Sequence, residues 1–115
     1  MSKALTLGVL ILLLSSGCNQ PEEPVDVSIY SVTSAPTTDE RVTLRNNDTV
    51  EADISYWTLG DLNDPVAYGI AYDTVLAPVA SITFPGRVLG FQIDDSGETI
   101  YLKDGDGNTI DTWSN

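Results

Sequence analysis

The segment best suited to chemistry is the oxygen-rich run DGDGN at residues 104–108. Side-chain oxygens at alternate positions open one common type of calcium-binding loop, so the run suggests a calcium site. Two later positions depart from that loop, because Thr109 replaces its central glycine and Asn115 replaces its bidentate glutamate. Tight hairpin turns need the same glycine, aspartate and asparagine residues. We therefore predict a hairpin turn at residues 104–108 and no metal site.

A second acidic run, DDSGE at residues 94–98, could be proposed to complete such a site. A predicted strand of about five residues separates the two runs, so they would lie at opposite ends of it, roughly 17 Å apart. The two runs therefore cannot share one ion.

The chain contains few of the residue types that commonly carry out catalysis. The sequence contains no histidine, and its single cysteine is Cys18, close to the amino terminus. A Ser-His-Asp triad, a Cys-His pair and the commonest zinc sites are therefore excluded. Paired carboxylates stay open in principle, but the acidic residues fall mainly in predicted turns and on outward strand faces. We predict that the protein is not an enzyme, with no catalytic residue and no cofactor.

Tyrosines could instead form an aromatic platform for carbohydrate. The candidates are Tyr30, Tyr56, Tyr68, Tyr72 and Tyr101. Aromatic side chains on a sheet more often pack against neighbouring strands than bind a sugar. We expect Trp57 in the core, whereas Trp113 could be buried or exposed. A calcium- or carbohydrate-binding surface domain is therefore the alternative function.

The balance of charge excludes one class of partner. The chain has 17 acidic and 5 basic residues, which gives a net charge of −12. Nucleic acids and anionic lipid surfaces both attract basic protein surfaces. We therefore predict no nucleic-acid partner, and no attachment to a membrane through surface charge.

The amino-terminal segment has the pattern of an export signal. Lys3 precedes an apolar run at residues 4–14, and these eleven residues are too few for a transmembrane helix, which needs ~20. The run SSGC at residues 15–18 resembles the lipobox of bacterial lipoproteins. The resemblance implies a signal peptide at residues 1–17, cleavage before Cys18 and attachment of lipid to Cys18. A secreted protein with an ordinary cleavage site near Gly17 and a free thiol is the alternative.

Residues 18–24 would then join the membrane to the folded domain. The run NQPEEP at residues 19–24 has two prolines and no apolar residue, so we predict an extended tether that reaches about 20 Å. Asn19, directly after the cysteine, resembles an outer-membrane sorting signal of enteric-type lipoproteins. We expect an exported protein, anchored by lipid in the bacterial cell envelope, at the outer membrane or cell surface rather than the inner membrane.

The rest of the chain is organised around residues 40–61, ERVTLRNNDTVEADISYWTLGD. Val42 and Leu44 alternate with polar residues, which predicts a half-buried strand that ends in a polar turn. A second strand would follow and end on a buried Trp57. Because Ile54 and Trp57 are an odd number of positions apart, either one of them is exposed or a bulge near residues 55–56 restores the register.

This stretch resembles the lamin tail domain family. The resemblance rests on two spaced motifs, Val42-x-Leu44-x-Asn46 and Ile54-x-x-Trp57-x-Leu59. Three positions differ from the usual family residues, with Thr43 in place of a glutamate and Tyr56 and Val79 in place of glycines. The similarity covers about residues 25–113 and implies an immunoglobulin-like sandwich that acts as an interaction or structural module.

Further strands are predicted from alternating apolar residues between turn signals. They lie at residues 25–30, 67–72, 81–84, 89–93, 100–103 and 109–113. About eight short strands and no helical period after the leader predict an all-β protein, an antiparallel β-sandwich at residues 25–115. With the resemblance, the fold class is immunoglobulin-like. We expect a non-catalytic lipoprotein that reaches the membrane through Cys18 and binds a protein partner in the cell envelope.

Overall fold

The computed structural model describes residues 25–115, and the regular elements in this part of the chain are almost all antiparallel strands joined by turns and loops. The strands are β1 (Val27–Thr33), β2 (Arg41–Asn46), β3 (Ala52–Asp53), β4 (Thr58–Gly60), β5 (Tyr68–Gly69), β6 (Val75–Leu76), β7 (Ser81–Pro85), β8 (Thr99–Lys103) and β9 (Thr109–Ser114). A 3-10 turn (Thr37–Asp39) and one short helix, α1 (Gly86–Leu89), interrupt them. The predicted leader, the lipid attachment site Cys18 and the tether lie outside the described residues.

The strands form three antiparallel sheets around one apolar core. One sheet has the order β1-β2-β7, a second has the order β5-β4-β8-β9, and β3 pairs with β6. The buried apolar side chains come from all three sheets, from α1 and from the connecting loops: Val27, Ile29, Val42, Leu44, Ala52, Ile54, Trp57, Leu59, Ile70, Leu76, Phe84, Leu89, Ile93, Ile100 and Leu102. The prediction of an all-β, sandwich-like fold is therefore confirmed. Within residues 25–115, no helix has the length and apolarity that a membrane span requires.

The alternation in residues 41–46 gives the burial that the sequence predicts. Val42 and Leu44 are fully buried, and so is Leu59 on β4. Burying a leucine or valine side chain typically contributes about 1.5–3 kcal/mol, so these three positions supply a large share of the core. The strand pairs on both sides, with β1 and with β7, which makes it the central strand of its sheet.

The odd spacing of Ile54 and Trp57 is resolved by a tight turn. Both side chains are buried, at 0% and 7% exposure, so the alternative that one of them is exposed is wrong. The N–H of Trp57 donates to the carbonyl of Ile54 at 3.1 Å, and Tyr56 has a φ of 67°. Positive φ at the third residue is typical of a type II turn. The predicted single strand is therefore two strands, β3 and β4, which belong to different sheets.

The predicted strand at residues 89–93 is wrong. Leu89 ends α1, and Gly90 follows in the left-handed region with a φ of 79°, which commonly terminates a helix. Ile93 is buried without a strand partner, because its N–H donates to the Oε1 of Glu40 at 3.0 Å. The alternating apolar residues at 89–93 therefore predict the burial of Leu89 and Ile93 correctly, but this segment does not pair with another strand.

Strand boundaries differ from the prediction elsewhere. The first strand begins at Val27 rather than at residue 25 and continues to Thr33, while the predicted strand at residues 67–72 shortens to Tyr68–Gly69. The two-residue strands β3 and β6 carry too few alternating residues to be recognised from sequence.

Val79 occupies a backbone conformation that suits glycine. It is the third residue of a turn closed by the N–H of Ala80 and the carbonyl of Ala77 at 3.1 Å, and its φ is 56°. Left-handed backbone is costly for a β-branched residue. We expect Val79→Gly to raise the free energy of unfolding by about 0.5–1 kcal/mol, measured by urea denaturation.

Val75→Gly is the matched control, because Val75 is also exposed but lies in β6. There, glycine removes a strand-forming side chain, so we expect a loss of about 0.5–1 kcal/mol. Equal destabilisation by both changes would contradict the strain assigned to Val79.

Candidate functional site

Two exposed tyrosines come together at one end of the sandwich. Tyr56 and Tyr72 are 62% and 74% exposed, and their ring centroids lie 5.9 Å apart with an interplanar angle of 31°. We call them the tyrosine pair. Exposed aromatic side chains that contact each other keep apolar area in water, and contiguous exposed apolar surface of this kind can mark an interaction site.

Hydrogen bonds fix the backbone under the tyrosine pair. The N–H of Tyr56 donates to the carbonyl of Ile70 at 2.9 Å. Ser55 donates to the Oδ1 of Asp53 through both its N–H, at 3.0 Å, and its Oγ, at 2.6 Å. The same Oγ accepts the N–H of Thr74 at 3.1 Å, so the two segments that carry the tyrosines are joined directly. The two bonds from Ser55 lower the pKa of Asp53.

The acidic run at residues 104–108 forms the turn between β8 and β9, as predicted. The Oδ1 of Asp104 accepts the N–H groups of Asp106 and Asn108, each at 2.9 Å, and its Oδ2 accepts the Nδ2 of Asn108 at 3.1 Å. These bonds use Asp104 to close the turn. Within residues 25–115, the acidic side chains do not gather into a group of three that could hold a metal ion.

The turn also lies beside the tyrosine pair. A Cβ placed on Gly105 would be 4.0 Å from the Cβ of Tyr56. The other acidic run, residues 94–98, precedes β8 and therefore lies at the opposite end of that strand, as predicted. Its Glu98 accepts the N–H groups of Asp94 and Thr99, so this carboxylate also serves the local backbone.

The ionisation of Asp104 makes the stability of the hairpin depend on pH. Hydrogen bonds from Asn108 are the main cause of its lowered pKa, so its contribution to stability is present above the unfolded-state pKa near 3.8. That contribution is lost as the pH falls through the lower, folded-state pKa. We expect wild type to be more stable than Asp104→Asn at pH 6, and the difference to shrink as the pH falls below 3.8, in thermal melts of both proteins. A difference that stays constant with pH would contradict this role.

The remaining tyrosine candidates do not join the pair. Tyr30 is exposed alone, with the Arg45 guanidinium 5.7 Å from its ring centroid. Tyr68 packs on Phe84, with ring centroids 5.4 Å apart. The Nζ of Lys103 lies 5.8 Å from the ring centroid of Tyr101. The five predicted candidates therefore do not make one platform. Trp57 is in the core as expected, and Trp113 is partly buried and packs against the core.

Asn46 holds the loops behind the tyrosine pair in place. It is fully buried, and its Nδ2 donates to the carbonyls of Val50, Leu76 and Ala77 at 2.8, 3.2 and 3.2 Å. Its Oδ1 accepts the N–H of Asp48 at 3.0 Å. An asparagine can serve both roles because its amide carries a donor group and an acceptor. The side chain of Asn46 thus has a structural role, because it joins the end of β2 to residues 48–50 and to residues 76–77.

A cleft that the sequence reasoning missed lies at the other end of the sandwich. It has a volume of about 440 Å³ and is lined by the 3-10 turn, Glu40, the start of α1 and residues 90–92. Glu40 is 6% exposed, and among the described residues its Oε2 has no hydrogen-bond partner. That oxygen is enclosed, so a molecule in the cleft would not touch it. In the sequence, Glu40 resembles an ordinary polar residue at the start of a strand, and no pattern indicates that its side chain is buried.

No family model and no curated protein matches this chain. The resemblance to the lamin tail domain therefore stays a prediction.

Proposed function

We propose that this protein is a non-catalytic lipoprotein of the bacterial cell envelope, whose lamin-tail-like domain binds a protein partner through the tyrosine pair. The observation that carries the proposal is the contact of Tyr56 and Tyr72, 62% and 74% exposed, on a backbone fixed by hydrogen bonds. Tyrosine is enriched in the residues that dominate protein interfaces, because it buries a large area at low cost in side-chain entropy.

Two backbone angles support the resemblance to the lamin tail domain and, with it, an immunoglobulin-like arrangement of the sheets. Tyr56 and Val79 stand where that family has glycine, and both have positive φ, at 67° and 56°. Glycine is the residue that adopts such angles without strain. The six signature residues, Val42, Leu44, Asn46, Ile54, Trp57 and Leu59, are all buried.

The place where the described domain begins is compatible with a tether that leads to it from Cys18. The N–H of Asn47 donates to the carbonyl of Asp26 at 2.7 Å, so the domain begins beside the loop that follows β2. Asn46, which bonds to Val50 and Leu76, belongs to the same end of the sandwich as the tyrosine pair. A tether from Cys18 would hold the pair within reach of proteins at the same membrane.

Lipid attachment is tested by metabolic labelling with radioactive palmitate. Wild type should carry the label and fractionate with membranes, whereas Cys18→Ser should lose both properties. An unlabelled wild-type protein would contradict the anchor without bearing on the tyrosine pair.

The partner surface is tested by affinity capture from detergent-solubilised envelope with the full-length protein. We expect a Tyr56→Ser/Tyr72→Ser double variant to lose at least about 90% of a captured protein band, since loss of two interface anchors commonly costs 2 kcal/mol or more. Tyr30→Ser is the matched control, because Tyr30 is equally exposed but is not part of the pair. Capture that survives the double change, or falls equally with Tyr30→Ser, would overturn the proposal. Loss of the band on adding free glycan would favour the carbohydrate-binding alternative.

A further inference from the structure

We propose that the partner presents a basic segment, whose lysine or arginine side chains stack on the tyrosine pair while neighbouring carboxylates pair with their charges. This inference deepens the proposed function and depends on the tyrosine pair being the contact surface. It names the chemistry of the partner, which the exposed tyrosines by themselves do not.

Three separate segments that carry or contact the tyrosine pair also carry carboxylates. Asp53 is bonded to Ser55, next to Tyr56, and Asp73 directly follows Tyr72. The 104–108 turn lies against Tyr56 and adds Asp104 and Asp106. These four carboxylates give this end of the sandwich an excess of negative charge beside two exposed aromatic rings, and cations are attracted both by carboxylates and by tyrosine rings.

Within residues 25–115, no contact is shown between a basic side chain and these four carboxylates. Arg45 and Lys103 lie on strands that end near this surface, and the contacts shown for their charged groups are with groups other than these four carboxylates. The Arg45 guanidinium lies over Tyr30, and the Lys103 Nζ lies over Tyr101 and within 3.2 Å of the Thr109 Oγ1. The net charge of −12 extends the same attraction over a longer range. A basic partner segment therefore fits the surface better than an anionic or neutral one.

Hydrogen bonding lowers the pKa of two of the carboxylates. Bonds from Ser55 lower the pKa of Asp53, and bonds from Asn108 lower that of Asp104. Asp73 and Asp106 are exposed, so both are free to meet a partner's cation. Asp73 has a φ of 63°, a conformation that asparagine shares readily, and this makes Asp73→Asn a conservative test.

The test compares two double variants that remove the same charge. Full-length protein in neutral detergent is titrated with a fluorescent lysine–serine repeat peptide, and with a glutamate–serine repeat peptide of equal length as the reference. We expect the lysine peptide to bind, and binding to weaken about tenfold or more in Asp73→Asn/Asp106→Asn. We expect little change in Asp39→Asn/Asp95→Asn, because residues 39 and 95 lie near the cleft at the opposite end of the sandwich. Binding should also fall with added salt and with the Tyr56→Ser/Tyr72→Ser change.

Several results would overturn this inference. Equal weakening by both charge variants would mean that the peptide responds to net charge alone. Binding that ignores the tyrosines would place the site elsewhere. Tyrosine-dependent sedimentation of Cys18→Ser protein with phosphatidylcholine vesicles, which lack net charge, would assign the pair to a lipid surface. If capture from the envelope requires the tyrosines but the lysine peptide does not bind, the proposed function stands and the inference that the partner presents a basic segment is wrong.

Discussion

Replacing Asn46 by leucine is expected to lower the free energy of unfolding by about 3 kcal/mol or more, because it removes hydrogen bonds that buried backbone groups cannot replace. Its amide donates to the carbonyls of Val50, Leu76 and Ala77. Leucine has a similar size, so the core stays filled while these acceptors lose their partner. The loss is measured by urea denaturation, followed through the fluorescence of the buried Trp57.

Asn47→Leu is the matched control for this change. Asn47 is the next residue and is exposed, and within residues 25–115 its side chain bonds to Ser28 and Asp26 on the surface. We expect a loss below about 1 kcal/mol there. Similar losses at both positions would mean that Asn46 does not hold the loops together.

Gly60→Ala should destabilise the domain by about 3 kcal/mol, since overpacking against fixed backbone forces the chain to move. A Cβ at this position would overlap the carbonyl of Asp64 and the backbone of Pro65. That loop cannot easily retreat, because the N–H of Asp61 donates to the Asp64 carbonyl at 3.1 Å and the Asp61 Oδ1 accepts the N–H of Asp64 at 3.0 Å. Urea denaturation again measures the effect.

Gly69→Ala provides the comparison within the same pair of strands. Thr58 on β4 pairs with Gly69 on β5, but a Cβ at Gly69 would meet no atom within 4 Å. Alanine should therefore be neutral or stabilising by about 0.4–1 kcal/mol, through the smaller entropy of the unfolded chain. If Gly60→Ala were equally neutral, the close approach of residues 60–65 would be contradicted.

Local alternation predicts this fold where a strand is long and paired on both sides. Val42, Leu44, Ile100 and Leu102 follow a period of two and are fully buried. The same reasoning fails at residues 89–93, where apolar residues also alternate. There, Gly90 adopts a left-handed conformation that ends α1, and the N–H of Ile93 donates to the carboxylate of Glu40, which is distant in sequence. The alternation of apolar residues indicates neither feature.

The candidate site is harder to predict because its parts are distant in sequence. Each tyrosine could be named from composition, but the contact between Tyr56 and Tyr72 depends on the turn at residues 55–56 and on the Ser55–Thr74 bond. The place of the 104–108 turn beside Tyr56 depends on how β8 pairs with β4. Sequence spacing did separate the two acidic runs correctly, because a strand of known rise lies between them.

The most direct test of the account is photo-crosslinking in intact cells, with a light-activated amino acid placed at residue 72 or, as the control, at residue 30. Both positions are exposed in the folded domain, so both report on what the domain meets. We expect irradiation to join residue 72 to one discrete envelope protein, and residue 30 to give no such product. A product of equal yield from both positions, or the absence of a discrete product from residue 72, would contradict the assignment of the tyrosine pair as the partner-binding surface.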